Sequence, residues 1–402
     1  MSRTAIISVD GHVKASRAGY RDYVEQQYLD DFDRWVKAAD DAGLPDAGNL
    51  NPAFGVESQW DSEKRLRELE SVGVVAEVLF PNGQPFQMNR LEDFGRMQSP
   101  ELAVAGRQTY NRWLADFCAE APGRRAGQAV ISFDDIDQAV QDVHWAKEHG
   151  LGGIMMPPLN PGGVFFFDPV LDPVWQAIQD VGLPISQHGG SGAPAYSPPG
   201  FASIITLAME HSFFSGRSLW QLMAGGVFDR FPGLQVAFVE TEAYWMGPMI
   251  KRLEQFVGLG SDWMGFARSM SRDATMSRTP KEYWASNCHA GLSPFSSSMV
   301  SIDDLARDDD GPDSAFFTEP EFFVSADKAM FGVDYPHFES ILPSMTPTLA
   351  GLLGNPAITD EAAHKILFDN AAALYGFDAA VLQPHVERVG FEPRQVLAST
   401  ST

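Results

Sequence analysis

The sequence predicts an α/β fold, a distorted (β/α)8 barrel, and three observations support this prediction. Eight short, apolar, strand-like segments alternate with segments of helical periodicity along the 402 residues. Parallel neighbouring strands need crossover connections, and right-handed crossovers can close such a sheet into a barrel. No Gly-x-Gly-x-x-Gly sequence follows the first strand, which argues against the main alternative, an open doubly wound sheet.

The predicted elements follow one another in a regular order. The strands are expected over residues 4–9, 73–81, 128–132, 152–157, 183–187, 234–239, 283–288 and 329–333. Helices are expected over residues 61–71, 100–121, 134–149, 169–181, 203–229, 244–257 and 360–375. This alternation of strand and helix is the repeat of a β/α barrel.

The barrel is predicted as a single domain over residues 1–380, with two insertions. Residues 13–60 have apolar side chains at helical spacing in their middle, and we expect them to fold over the carboxyl-terminal face of the strands. Residues 258–327 are long for one crossover and include an acid-rich run, so we expect a solvated surface with part of the segment acting as a lid. Residues 381–402 are predicted to form a C-terminal tail.

Composition limits the partners and the compartment. The chain has 29 basic and 53 acidic residues, a formal charge of −24, which disfavours nucleic acid and anionic membranes as partners. Cys118 and Cys288 lie far apart, so no disulfide framework is predicted and a reducing compartment is favoured. Neither a signal-peptide pattern nor an apolar run long enough to span a bilayer occurs. We therefore expect a cytoplasmic protein that acts on a small molecule.

Four polar residues at predicted strand ends form the candidate site. Asp10 and His12 end the first strand and point to the same side, while Gly11 between them permits a close approach. His188 ends the fifth strand and Asp334 the eighth. Because all strands of a barrel end at one face, these two carboxylates and two imidazoles can bind one divalent ion and leave a position open. Individually, His188 could be a turn residue and Asp334 a helix cap.

Several motifs resemble those of the amidohydrolase-related family, in the branch that includes aminocarboxymuconate-semialdehyde decarboxylase. The most specific are Ser8-Val9-Asp10-Gly11-His12 and Phe331-Gly332-Val333-Asp334-Tyr335-Pro336-His337, and the others lie at residues 60–61, 78–81, 188–190 and 227–232. The resemblance covers nearly the whole chain. It implies one divalent metal ion, zinc or manganese, bound by Asp10, His12, His188 and Asp334. It also implies a small, aromatic or carboxylated substrate and a homodimer.

Two departures from the family pattern affect the predicted reaction. Asp10 stands where many members have histidine or glutamate, which shifts the metal preference without preventing binding. Glu240 stands where decarboxylases of the branch commonly place a histidine. Because Glu240 cannot act as a cationic imidazole, we favour a metal-dependent hydrolase that uses metal-activated water. The alternatives are a nonoxidative decarboxylase or other lyase, and a catalytically inactive barrel that serves as a binding protein.

Further residues are candidates for catalysis and substrate binding. Asp334 is predicted to be either the fourth ligand or the base that deprotonates the water, and Glu240 is the next candidate for proton transfer. His289 and His337 could face the same cavity, although a histidine beside a strand end is often only a hydrogen-bond partner of a ligand. The candidates for substrate contacts are Arg17, Phe86, Asn89 and Trp245.

Overall fold

The fold is a parallel β/α barrel, as predicted. The computed structural model describes residues 3–46, 49–87, 99–158, 163–189, 200–258 apart from 242 and 244, 276–293, 325–354 apart from 344, 358–393 and 396. The strands in these ranges are β1 (Ile6–Ser8), β2 (His12–Val13), β3 (Val74–Pro81), β4 (Arg125–Val130), β5 (Gly153–Met156), β6 (Ile185–His188), β7 (Val236–Val239), β8 (Cys288–Leu292) and β9 (Ala329–Phe331). They pair in parallel in the order β1-β3-β4-β5-β6-β7-β8-β9, and β2 extends the first strand along β3.

The first and last strands meet and close the barrel. The amide of Val9 donates to the carbonyl of Phe331 at 2.9 Å, and the amide of His12 donates to the carbonyl of Tyr335 at 2.7 Å. Gly11 forms a parallel bridge with Tyr335. The two most specific motifs of the sequence therefore lie side by side at this seam.

Helices surround the barrel and bury their apolar faces against it. The described α-helices are α1 (Leu29–Asp41), α2 (Ser62–Glu70), α3 (Pro100–Ala119), α4 (Ile136–Glu148), α5 (Asp172–Val181), α6 (Phe201–Ser215), α7 (Arg217–Ala224), α8 (Val227–Arg230), α9 (Met246–Gly258), α10 (Pro280–Asn287), α11 (Thr346–Gly354), α12 (Asp360–His364), α13 (Asn370–Tyr375) and α14 (Ala379–Val389). A π-helical turn, Lys365–Asp369, joins α12 to α13. None of the helices in the described ranges has both the length and the apolarity needed to cross a membrane.

The prediction of a strand over residues 283–288 is wrong, because residues 283–287 form the end of a helix. Thr279 and Glu282 form a capping box, with Pro280 in the first turn, and together they start α10. The strand β8 begins only at Cys288 and contains Ala290 and Gly291, whose small side chains give a weak sequence signal for a strand. The strand therefore begins about five residues later than predicted, which places His289 within it instead of after its end.

The first insertion packs over the carboxyl end of β3. The indole of Trp35 on α1 donates to the carbonyl of Gln87 at 3.0 Å, and the hydroxyl of Tyr20 donates to the carbonyl of Gly83 at 3.1 Å. Most of residues 258–327 lie outside the described ranges. At the other end of the barrel, residues assigned to the tail include part of α14, and Phe391 pairs with Thr4.

Candidate metal centre

Six buried side chains converge at the carboxyl end of the barrel. Each side chain lies at or just after the carboxyl end of a strand, and parallel strands bring these ends to one face of the barrel. They are Asp10 after β1, His12 in β2, His188 at the end of β6, Glu240 after β7, and Asp334 and His337 after β9. The four metal-ligand candidates predicted from the sequence are all among them.

The donor atoms of these side chains lie within a few ångströms of one another. Nε2 of His12 is 3.3 Å from Oδ1 of Asp10 and 3.3 Å from Oδ1 of Asp334. Nε2 of His188 is 3.3 Å from Oδ1 of Asp10 and 3.1 Å from Oε2 of Glu240. Donors around an ion with bonds of about 2.1 Å are separated by about 3.0–3.4 Å, so these spacings fit ligands of one cation.

Unpaired polar atoms support the same conclusion. Among the described residues nothing hydrogen-bonds Oδ2 of Asp10, Nε2 of His12, either carboxylate oxygen of Asp334, or Nδ1 of His337, although all are buried. Buried polar atoms normally have partners, because leaving one without costs about 1–3 kcal/mol. A divalent ion would satisfy these atoms together, and their mixture of imidazole and carboxylate suits a borderline metal such as zinc or manganese. The residues present therefore fit the implied ion.

Two overlapping groups of donors are available to the ion. One contains Asp10, His12, His188 and Glu240, and the other contains His12, Glu240, Asp334 and His337; in each group the ligand atoms lie within 4.8 Å of one another. His12 and Glu240 belong to both groups. The candidate site therefore contains two possible ligands, Glu240 and His337, in addition to the four residues implied by the family motif.

The backbone is strained at two of these positions. Glu240 has φ 50° and Asp334 has φ 53°, in the left-handed region that residues other than glycine rarely adopt. The amide of Glu240 donates to Oγ of Ser293 at 3.1 Å, and the Glu240 carbonyl lies 2.8 Å from Nε2 of His211. Such strain is typical of functional sites, and here it turns both carboxylates toward the cluster.

Two glycines next to the cluster are closely packed and leave no space for a side chain. A Cβ on Gly189 would lie 2.1 Å from the carbonyl oxygen of Glu240, so only glycine lets the chain after His188 pass this strained turn. A Cβ on Gly11 would lie 2.9 Å from Nη2 of Arg65. The absence of a side chain at Gly11 therefore leaves room for the buried guanidinium of Arg65.

Arg65 holds the two halves of the site together at the barrel seam. It is fully buried, donates to the carbonyl of His12 at 2.9 Å and to that of Tyr335 at 3.2 Å, and makes a bidentate pair with Glu77. Nε of Arg125 is 3.6 Å from the same carboxylate. The backbone that carries His12 and the residue after Asp334 is thus fixed by one side chain.

Burial and mutual charge perturb the pKa values of the cluster. Burial raises the pKa of Glu240 well above its usual range, and Asp334 and Asp10 raise it further. Burial and the charge of Asp10 raise the pKa of Asp334 to about 7, against the opposing effect of His12. Burial raises the pKa of Asp10 too, but His12 and His188 lower it well below its usual range. Three carboxylates this close need a cation or shared protons to remain buried.

His337 joins the cluster, whereas His289 does not. The ring of His337 stacks on that of His12, with centroids 3.6 Å apart, and burial lowers its pKa well below the usual range. His289 was expected after a strand, but it is the second residue of β8 and therefore lies toward the amino end of the barrel. Its Nε2 is 3.1 Å from Oε1 of Gln235. The expectation that His289 faces the cavity is corrected accordingly.

Three of the four predicted substrate contacts, Arg17, Phe86 and Trp245, lie in the described part of the chain, and each packs against or hydrogen-bonds other protein groups. Nη1 of Arg17 donates to Asp40 at 3.0 Å and its Nη2 to the carbonyl of Leu44, so it braces the first insertion and carries no free charge toward the site. Phe86 is fully buried and packs against the rings of α1. Trp245 is buried too, and its indole donates to the carbonyl of Thr241 at 2.7 Å. Asn89 lies outside the described residues.

Three residues that support the site gave no sequence signal strong enough to identify them. In the sequence, Arg65 is one of several charges in a predicted helix. Glu77 is a single acid within an apolar predicted strand. An acid inside a buried strand needs a partner, so Glu77 could have been recognised as paired. Asn82, whose Oδ1 lies 3.1 Å from Nε2 of His337, follows the strand β3 and carries no recognisable motif.

The fold and the donor set together define a barrel with a candidate metal centre, and the family comparison agrees. Residues 87–377 match the family model described as amidohydrolase. The chain belongs to the amidohydrolase family, which confirms the resemblance inferred from its motifs. No curated protein matches the chain by sequence.

Solved structures show the same fold. An amidohydrolase from Mycobacterium avium subsp. paratuberculosis K-10 superposes with a TM-score of 0.64 and 18% identity, covering 94% of this chain and 99% of that chain. The 5-carboxyvanillate decarboxylase from Sphingomonas paucimobilis gives 0.63 and 18%, covering 93% and 100%. The 5-carboxyvanillate decarboxylase from Novosphingobium aromaticivorans, complexed with manganese and 4-hydroxy-3-methoxy-5-nitrobenzoic acid, gives 0.61 and 18%, covering 93% and 96%. At this identity the likeness concerns the fold.

Proposed function

We propose that the protein is a metal-dependent hydrolase of a small, aromatic or carboxylated compound, with one bound zinc or manganese ion. The observation that carries the proposal is the acid-rich cluster, in which Asp334 presents two buried oxygens that no described residue hydrogen-bonds. His12, His188 and Asp10 would hold the ion, with Asp334 as a further ligand or as the base. When bound, a divalent ion supplies Lewis acidity toward water and toward a substrate carbonyl.

The two perturbed carboxyl groups suit the two proton transfers of hydrolysis. Burial and the charge of Asp10 raise the pKa of Asp334 to about 7, which suits a carboxylate that accepts a proton from the attacking water and releases it again. Burial raises the pKa of Glu240 well above its usual range, which favours the protonated form that can donate to the leaving oxygen or nitrogen. Water adds to the carbonyl carbon, the ester or amide bond breaks, and the leaving group departs with the proton from Glu240.

Electrostatics favours a neutral reacting group over a carboxylate. Three carboxyl groups already surround the ion site. Two cations on the described segments that flank the site already have carboxylate partners, since Lys14 pairs with Asp46 and Arg65 pairs with Glu77. An ester, amide or lactone carbonyl would add no further negative charge to the cluster.

Nonoxidative decarboxylation is the second candidate, and the likeness to two carboxyvanillate decarboxylases favours it. In that reaction Glu240 would donate its proton to the substrate carbon as the carbon–carbon bond to the carboxylate breaks and carbon dioxide leaves. No oxygen from water would enter the organic product. The two reactions therefore differ in products that can be measured directly.

The test uses the metal-loaded protein and a panel of small aromatic esters, amides, lactones and carboxylates, in ¹⁸O-labelled water. Hydrolysis predicts one ¹⁸O atom in the acid product, no carbon dioxide, and loss of turnover with chelator. Carbon dioxide release without ¹⁸O incorporation would instead establish the decarboxylase. Protein that neither contains nor acquires zinc or manganese would support a binding protein without catalysis.

A matched pair of variants assigns the base. Asp334→Asn removes the proton acceptor and should lower kcat at least about a hundredfold, the usual contribution of a general base. Asp369→Asn makes the same chemical change at an exposed ion pair with His364 and should leave turnover unchanged. Equal activities of the two variants would remove Asp334 from the mechanism.

A further inference from the structure

A chain of hydrogen bonds leads from the first insertion to the cluster. Nε2 of Gln59 donates to the carbonyl of Val56 at 3.3 Å, and because a carbonyl can only accept, this fixes the orientation of the Gln59 amide. Oε1 of Gln59 then accepts from Nδ2 of Asn82 at 2.7 Å, and the carbonyl of Asn49 accepts from the same nitrogen at 3.0 Å. Both protons of the Asn82 amide are therefore committed to the insertion.

This orientation determines the tautomer of His337. With its nitrogen committed, Asn82 presents Oδ1 to Nε2 of His337 at 3.1 Å. An amide oxygen can only accept, so Nε2 of His337 carries the proton. In a neutral imidazole the other nitrogen, Nδ1, then holds a lone pair and is available as a metal ligand.

The lone pair of Nδ1 faces the cluster without a described hydrogen-bond partner. Nδ1 is buried and lies 3.0 Å from Oδ1 of Asp334, yet neither atom makes a hydrogen bond within the described part of the chain. Two acceptor atoms at this distance repel unless a proton or a metal cation lies between them, and a divalent ion would also satisfy the other unpaired atoms of the cluster. The separation equals that of two neighbouring ligands of one ion with bonds of about 2.1 Å.

We propose that His337 is a further ligand of the divalent ion through Nδ1, and that Asn82 and Gln59 are positioning residues that hold it in the metal-binding tautomer. The proposal rests on the proposed function only in that the cluster binds a divalent ion. The donor set then contains three imidazoles, those of His12, His188 and His337, which favours zinc or cobalt over harder ions. The first insertion then contributes to the metal site, because Asn49 and Gln59 orient Asn82, which in turn orients His337.

The experiment uses cobalt(II) as a spectroscopic probe in the full-length protein. His337→Phe keeps the aromatic stack on His12 but removes the donor, and Asn82→Leu removes the acceptor that fixes the tautomer. We expect His337→Phe to weaken cobalt binding at least about tenfold and to change the visible absorption of bound cobalt, since the coordination changes. Asn82→Leu should weaken binding about tenfold, the effect of removing a hydrogen-bond partner of a ligand. Asn82→Asp, which keeps an acceptor toward Nε2, should bind more tightly than Asn82→Leu.

The matched control is His289→Phe, a buried histidine at the opposite end of the barrel, which should keep the parent affinity and spectrum. Circular dichroism melting identifies any variant that does not fold, and His337→Gln then replaces His337→Phe. Parent affinity and an unchanged cobalt spectrum in folded His337→Phe would overturn the proposal. That result would leave the proposed hydrolysis intact, because the hydrolysis is judged by ¹⁸O incorporation. A parent protein that binds no cobalt, zinc or manganese would overturn both.

Discussion

The buried carboxylate of Glu77 gives the most specific prediction about stability. Its oxygens accept from Arg65 at 2.8–3.0 Å, and the guanidinium of Arg125 lies 3.6 Å away. Glu77→Gln keeps the size of the side chain but removes the charge, so two buried cations would face each other without a counter-ion. Burial and Arg65 already lower the pKa of Arg125, and the charge of Glu77 is the largest effect that opposes this.

The magnitude follows from what is lost. Removing one member of a buried ion pair typically costs about 3–5 kcal/mol, since the remaining charge stays desolvated. Both guanidinium groups are almost inaccessible to solvent, so water cannot replace the carboxylate. We therefore expect Glu77→Gln to lower the free energy of unfolding by about 3–5 kcal/mol, a large share of the about 5–15 kcal/mol of a typical protein.

The assay is urea unfolding followed by circular dichroism at a fixed concentration of divalent ion. Glu63→Gln, at an exposed ion pair with Arg67, is the matched control and should change the free energy of unfolding by less than about 1 kcal/mol. Adding Arg125→Leu to Glu77→Gln removes one of the unpaired cations and should restore part of the loss. A Glu77→Gln protein within 1 kcal/mol of the parent, on the scale of an exposed pair, would refute this reasoning.

Three further outcomes are expected. His188→Ala should leave less than about a tenth of the parent's zinc or manganese by elemental analysis, because the imidazole contacts both Asp10 and Glu240. Burial lowers the pKa of His289 to about 3, below its ordinary value, so its stabilisation is full above about pH 6.5 and is lost as the pH falls toward 3. Urea unfolding at pH 7 and pH 5 should therefore show His289→Gln to be less acid-sensitive than the parent by about 2 kcal/mol. Gly189→Ala should displace the Glu240 carbonyl and weaken zinc binding about tenfold or more, measured by competition with a chelator.

Each of these outcomes has a clear contrary result. Full metal content in His188→Ala would show that the ion lies in the group formed by His12, Glu240, Asp334 and His337. Equal acid sensitivity of His289→Gln and the parent would mean that His289 is not held neutral by burial. Parent zinc affinity in Gly189→Ala would mean that the turn relaxes without moving Glu240.

Most of the fold could be predicted because periodicity is a local property. Seven of the eight expected strands lie where the apolar segments placed them, to within a few residues. The exception, over residues 283–288, failed because Thr279 and Glu282 start a helix whose capping signal outweighs the apolar pattern after it. The correct strand, β8, contains small residues and depends on its neighbours for stability.

The candidate site could be predicted only in part. Asp10, His12, His188 and Asp334 were recognised together because a barrel sends every strand end to one face, so positions in the chain implied proximity. His289 and His337 had equal sequence signals, but a shift of a few residues places His289 near the start of β8, whereas His337 follows the end of β9. Arg17 was assigned a role at the site, whereas its guanidinium pairs within the insertion.

By itself, the sequence determined the barrel, the donor types and the face where they meet, since these follow from periodicity and from which residue ends each strand. Only the tertiary structure decided how those donors are arranged. The left-handed turns at Glu240 and Asp334, the buried pair of Arg65 and Glu77, and the amide orientation of Asn82 depend on residues far apart in the chain. Hydrogen bonds and burial between distant segments act over a few ångströms, so they exist only once the barrel has closed.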